Sequence, residues 1–163
     1  MATPGPLTSP LAVPPEWLEP VTLRLEGDCP GYARSDVRVR GHVVTIDEPP
    51  ERDGTDAGPA PTELMIAALI GVCNVILRRI ARRDGIALHH LNVTAAAELD
   101  RRGVWLAEPV DIPWRQIHLT LTIATDADDD RLALWRADLG RFSPIHATLR
   151  AAGTLITEDW IRA

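Results

Sequence analysis

The chain has 163 residues, a net charge of -6, 45% apolar and 25% charged side chains. That is enough for one domain with a real core and too little for two comfortable ones. The acidic balance argues against nucleic acid and anionic membrane as partners, because both select a basic face.

Residues 1–16 carry Pro4, Pro6, Pro10, Pro14 and Pro15. Such a segment cannot enter a sheet ladder or a helix interior, which predicts an extended N-terminal arm, followed by a single domain over 17–163. Residues 21–27 alternate apolar and polar and predict a half-buried strand. Asp28-Cys29-Pro30-Gly31 reads as a turn. Two more strands are predicted over 32–40 and 42–46, divided at Gly41, as an antiparallel meander. A loop rich in Pro, Gly and Asp, 47–61, leads to the most informative segment.

Residues 64–77 hold 14 positions without a charge, and Asn74 is the only clearly polar one. A helix apolar on all sides must be buried on all sides. The run is short of the roughly 20 residues that cross a bilayer. It therefore reads as the central core helix of a soluble protein, over about 62–83. Glu63 suits the positive end of its dipole; Arg78, Arg79, Arg82 and Arg83 suit the other end. Cys73 sits in its middle.

A long strand follows over 88–99, then an irregular connection and a second strand over 114–124. The cluster Asp126 to Asp130 serves as cap and first turn of a helix ending near Gly140. It lacks the glycine and terminal glutamate of a calcium loop. Ser143-Pro144 restarts a short helix, with Ser as cap and Pro at the first helical position. A closing strand over 154–161 completes an α+β order.

Every one of the 17 cationic side chains is arginine, so lysine-based chemistry is excluded. Cys29 and Cys73 are too few for a disulfide-stapled secreted fold, and neither has zinc-like spacing; no metal and no cofactor is expected. The opening residues lack a basic and then apolar leader, which predicts a cytoplasmic protein. His89 and His90 alternate across a strand and do not suggest a shared metal. Ser143 and His146 lie one helix turn apart, but no third group or nucleophile elbow accompanies them in the sequence, so a hydrolase is not inferred. An apolar helix with more surface than a few strands can cover predicts a homodimer.

Asp47-Glu48-Pro49, Asp53-Gly54-Thr55-Asp56-Ala57-Gly58-Pro59 and Pro61-Thr62-Glu63-Leu64, with a cysteine ten residues after that Glu, resemble the OsmC/Ohr family. Asp100-Arg101-Arg102-Gly103, Ile117-His118-Leu119 and Ser143-Pro144-Ile145-His146 fall where that family has its matching segments. The resemblance implies an OsmC-like α+β fold: an antiparallel sheet packed on long central helices in an intertwined homodimer. It also implies reduction of hydroperoxides by a cysteine in the central helix. Cys73 matches that cysteine and Glu63 the family's glutamate. Arg34, with Arg38 as the alternate, matches the arginine that sets the thiolate.

The family's second, resolving cysteine is replaced here by Ser143, and a hydroxyl cannot close a disulfide. The reading that follows is a one-cysteine reductase of organic hydroperoxides, recycled by an external thiol. Two alternatives remain open: a non-catalytic dimer binding an apolar ligand, and a redox sensor using Cys73. By residue physics alone Cys73 also fits a small core hydrophobe, Glu63 a first-turn carboxylate, Arg34, Arg38 and Arg40 a solvated strand face, and Ser143 a helix cap.

Overall fold

The computed structural model describes residues 11–163. Pro4, Pro6 and Pro10 of the expected arm lie outside the described residues. The described residues divide into two compact units, 13–67 and 68–163, the second grouped with residues 11–12.

The unit 13–67 opens with a 3-10 turn, Pro15–Trp17, where an extended arm was expected. Its sheet is the anticipated meander: β1 (Glu26–Asp28), β2 (Ser35–Val39) and β3 (His42–Ile46), antiparallel in that order. The first strand is much shorter than its alternating sequence suggested. Glu26 already pairs with Arg38, and β2 ends at Val39 as the chain turns at Arg40, with φ of 54°. Leu25 and the residues before it have no partner strand left, and Val21, Leu23 and Leu25 stand exposed.

Behind β3 the loop is organised around one carboxylate. Asp47, 1% exposed, accepts hydrogen bonds from the backbone N–H of Glu48, Thr55 and Ala57 and from the Thr55 hydroxyl, at 2.6–3.1 Å. The Thr55 hydroxyl bond, with the backbone donors, holds its carboxyl down at about 2 against the opposing effect of burial. Gly58 passes so close to β3 that a Cβ there would lie 2.2 Å from the carbonyl oxygen of Thr45. These family-like residues hold a loop together.

In the unit 68–163, β4 (Leu88–Leu99) pairs antiparallel with β5 (Trp114–Thr125), and β6 (Leu155–Arg162) pairs with β5 in parallel. The expected wholly antiparallel sheet is thus corrected to a mixed one. The helices α2 (Asp129–Phe142) and α3 (Pro144–Ala151) lie between β5 and β6, and a crossover of that length is what parallel pairing requires. Asp128 caps α2 by accepting from the Arg131 N–H, and Ser143 caps α3.

Helix α1, Pro61–Asp84, is 24 residues long. By length and composition it could cross a membrane, yet Leu69, Cys73, Ile76, Leu77, Ile80 and Ala81 form a buried stripe. The core around that stripe takes Ile117, Leu119, Leu121 and Ile123 from β5, Trp135 and Leu139 from α2, and Leu149 from α3. It is a core helix. The expectation of burial on every side is not met within one chain, because Val75 is 43% exposed. One stripe suffices for this unit's core, and the rest of the helix surface is left over.

Candidate active site

Cys73 lies on the buried stripe and is itself 0% exposed. Burial, reinforced by the charge of Glu158, pushes its thiol up to about 12. At neutral pH such a thiol is ionised in about one molecule in 10⁵. The same unit buries Ser143, His146 and Glu158, so its interior is not purely apolar.

Glu158 is one of three buried polar groups that α3 and β6 bring together. It stands on the face of β6 that pairs beside Leu119, so strand alternation turns it inward. Its side chain is 5% exposed. Oε2 accepts a hydrogen bond from the indole Nε1 of Trp160 at 2.9 Å. Oε1 lies 3.8 Å from Nε2 of His146 and 3.7 Å from the guanidinium of Arg150. Arg136 reaches the other oxygen at 3.7 Å and donates to the Glu158 carbonyl at 2.6 Å.

His146 and Ser143 are each 0% exposed. Ser143 Oγ accepts from the backbone N–H of His146 at 3.3 Å, as a helix cap does, and lies 2.7 Å from His146 Nδ1. With the hydroxyl oxygen already accepting, its proton is free to be donated to Nδ1. A proton on Nε2, which faces the Glu158 carboxylate, is the tautomer this arrangement favours; Nε2 makes no hydrogen bond among the described residues. Burial lowers the pKa of His146, Glu158 opposes it and Arg150 adds to it. The ring is therefore neutral at physiological pH.

A pocket of roughly 350 Å³ opens on this cluster, lined by Arg136, Gly140, Arg150, Thr157, Glu158 and Asp159. Gly140 leaves room for the Arg150 side chain, since a Cβ there would lie 2.6 Å from its Nη1.

The other residues singled out in the sequence sit elsewhere. Glu63 is at the start of α1, where its carboxylate accepts from the Ala60 N–H at 2.8 Å while the Ala60 carbonyl accepts from Leu64. That is the return arm of a capping box. Arg34 precedes β2 and pairs with Asp36 at 3.0 Å. Arg38 lies on β2, on an exposed position. Cys29 is exposed and 3.4 Å from Ser35 Oγ. Sequence reasoning set Ser143 and His146 aside for want of a third group. The third group is Glu158, supplied by a strand twelve residues further on, and only the inward alternation of β6 hinted at it.

A profile of the family described as OsmC-like protein matches residues 54–158. The chain belongs to the OsmC-like protein family. Its α+β fold agrees: an OsmC-like protein from Mycoplasma pneumoniae superposes with a TM-score of 0.74 at 14% identity, covering 88% of this chain and 98% of that one. The organic hydroperoxide resistance protein OsmC of Legionella pneumophila gives 0.62 at 13% identity, over 86% and 97%. The organic hydroperoxide resistance protein OhrB of Bacillus subtilis gives 0.58 at 14% identity, over 86% and 98%. No curated protein matches the sequence. In this OsmC-like protein the Ser143 hydroxyl is engaged with His146.

Proposed function

We propose that this OsmC-like protein is a cytoplasmic, thiol-dependent reductase of organic hydroperoxides in which Cys73 is the one reacting sulfur. The observation that carries the reading is the company Cys73 keeps. An inert core cysteine is packed in hydrocarbon, whereas this one shares its core with a buried carboxylate and belongs to the unit that buries His146 and Ser143. Relatives of the same fold bear the name of organic hydroperoxide resistance proteins, which supports the substrate class.

Cys73 attacks the distal peroxide oxygen; an S–O bond forms, the O–O bond breaks, and an alcohol leaves. Two equivalents of an external thiol then return the sulfenic acid to thiol, giving a disulfide of that thiol and water. Glu63 and Arg34, with Arg38 as the alternate, are proposed to complete the site within a homodimer. The exposed side of α1, with Val75 43% exposed, supports a second copy as its cover.

The test is intact mass after brief exposure to an organic hydroperoxide. A fast gain of one oxygen in wild type, absent in Cys73→Ser, and catalytic consumption with excess thiol are expected. No oxidation over minutes in millimolar peroxide would sink the proposal. It would leave the second reading, which the sealed and protonated state of the thiol favours: a non-catalytic dimer holding an apolar ligand.

A further inference from the structure

We propose that the trough between α2 and β6 is a binding site for a free α-amino acid with a large apolar side chain. This site is independent of the chemistry proposed for Cys73. Asp129, Leu132, Ala133, Arg136, Ala137 and Gly140 recur every three or four positions, so they form one stripe along α2. That stripe and β6 line two pockets, one of roughly 350 Å³ against residues 156–159 and one of roughly 260 Å³ against residues 160–162. Arg136 belongs to both, so the two follow one another along the strand. The small side chains of Ala133 and Ala137, and the bare Gly140, leave the helix wall recessed. The larger volume falls within the range of small-molecule sites, about 300–1,000 Å³.

The two pockets differ in chemistry. The first is lined by two cations and two anions, Arg136, Arg150, Glu158 and Asp159. Each guanidinium is anchored by one backbone carbonyl, that of Glu158 at 2.6 Å for Arg136 and that of Gly140 at 3.3 Å for Arg150. Both side chains stay partly exposed, with donors to spare. Glu158 Oε1 accepts no hydrogen bond among the described residues, because Nη2 of Arg150 at 3.7 Å and Nε2 of His146 at 3.8 Å stand beyond reach. A lone anion here would meet the charges of Glu158 and Asp159, and a lone cation those of Arg136 and Arg150. A zwitterion satisfies both sets: its carboxylate takes the spare guanidinium donors and its ammonium the open oxygen of Glu158. The second pocket is walled by Ile123, Leu132, Ala133, Trp160 and Ile161 and suits a hydrocarbon side chain. Arg162 at that end is already spent on Asp129 and the Ala127 carbonyl, so it does not draw a second anion. Trp160 joins the two halves, since it lines the apolar end while its indole N–H holds Glu158 Oε2 at 2.9 Å.

The experiment titrates the full chain with L-leucine, L-leucinamide, isocaproate and glycine, read by nitrogen-15 amide and indole spectra and by calorimetry. Leucine carries both charges and the side chain. Leucinamide lacks the carboxylate, isocaproate the ammonium and glycine the side chain. Leucine is expected to saturate at millimolar concentration, moving the Trp160 indole signal and the amides of residues 156–162 while the indoles of Trp17 and Trp105 stay in place. Each of the other probes is expected to bind at least tenfold more weakly. Arg150→Gln, with circular dichroism melts to confirm folding, is expected to weaken leucine and isocaproate and to leave leucinamide unchanged. Ala133→Leu, on an exposed position of the helix where leucine is a good helix former, fills the apolar end and is expected to remove the advantage of leucine over glycine. A Trp160 signal unmoved by millimolar leucine overturns the proposal. So does wild-type protein that takes leucinamide or isocaproate as tightly as leucine, or Arg150→Gln that binds leucine as wild type does.

Discussion

Replacing Ser143 by alanine removes one oxygen that holds two bonds in a site sealed from water. The hydroxyl caps α3 through the His146 N–H at 3.3 Å and satisfies His146 Nδ1 at 2.7 Å. Loss of a cap costs about 1 kcal/mol. Leaving the buried ring nitrogen without a partner costs about 1–3 kcal/mol more. The sum, about 2–4 kcal/mol, corresponds to a fall in Tm of roughly 5–15 °C for a domain of this size. The assay is thermal and urea unfolding followed by circular dichroism, with Thr148→Ala as the control. Thr148 also bonds a backbone carbonyl on α3, that of Pro144 at 2.9 Å, but in the open. Its removal is expected to fall within about 0.5 kcal/mol of wild type. If Ser143→Ala matches the control, the hydroxyl does not hold the imidazole, and the tautomer assigned to His146 loses its basis.

Asp47 titrates far below an ordinary carboxylate in the fold, at about 2. Its contribution to stability is therefore complete above its unfolded value near 3.8 and is lost as pH falls from there toward 2. Thr55→Val removes the largest cause and is expected to move the acid-unfolding midpoint to higher pH; an unmoved midpoint would contradict the assignment. Gly58→Ala places a carbon 2.2 Å from the Thr45 carbonyl oxygen, a backbone atom that cannot swing away. A loss of about 1–3 kcal/mol in urea unfolding is expected, and wild-type stability would show that the close approach is not needed. For the homodimer, light scattering is expected to give twice the chain mass for wild type and the single mass for Val75→Arg. A wild-type protein that stays monomeric at micromolar concentration removes the dimer.

What was legible in the sequence was what neighbours along the chain decide. β4 and β3 fall on the residues their apolar patterns marked, and the caps at Asp128 and Ser143 follow from side chains that bond three residues ahead. Residues 21–25 show the limit. Alternation says which side chains would share a face, but a strand also needs a partner, and β2 ends too early to supply one. The parallel pairing of β6 depends on where α2 and α3 carry the chain, and no local pattern records that. The candidate site divides in the same way. Cys73 could be marked on its helix from the sequence, whereas Glu158 meets His146 only through the packing of an edge strand on a short helix. The arginines about Glu158 are Arg136 and Arg150 of α2 and α3.

β6 pairs only with β5 among the described residues, and this governs how a reagent reaches a thiol that has no exposed surface. β4 and β6 are both edges of this sheet, but β6 has 8 residues and β4 has 12, so β6 opens at lower free energy than β4 can separate. The residue it carries inward is Glu158, and each excursion lifts that side of the core away from its partners. Any reagent for Cys73 is then expected to show gated kinetics: the rate climbs with reagent at first and levels off at the frequency of strand opening. Amide exchange along 156–160 would run at that same frequency, making the backbone of one strand a clock for the chemistry of a side chain on another element.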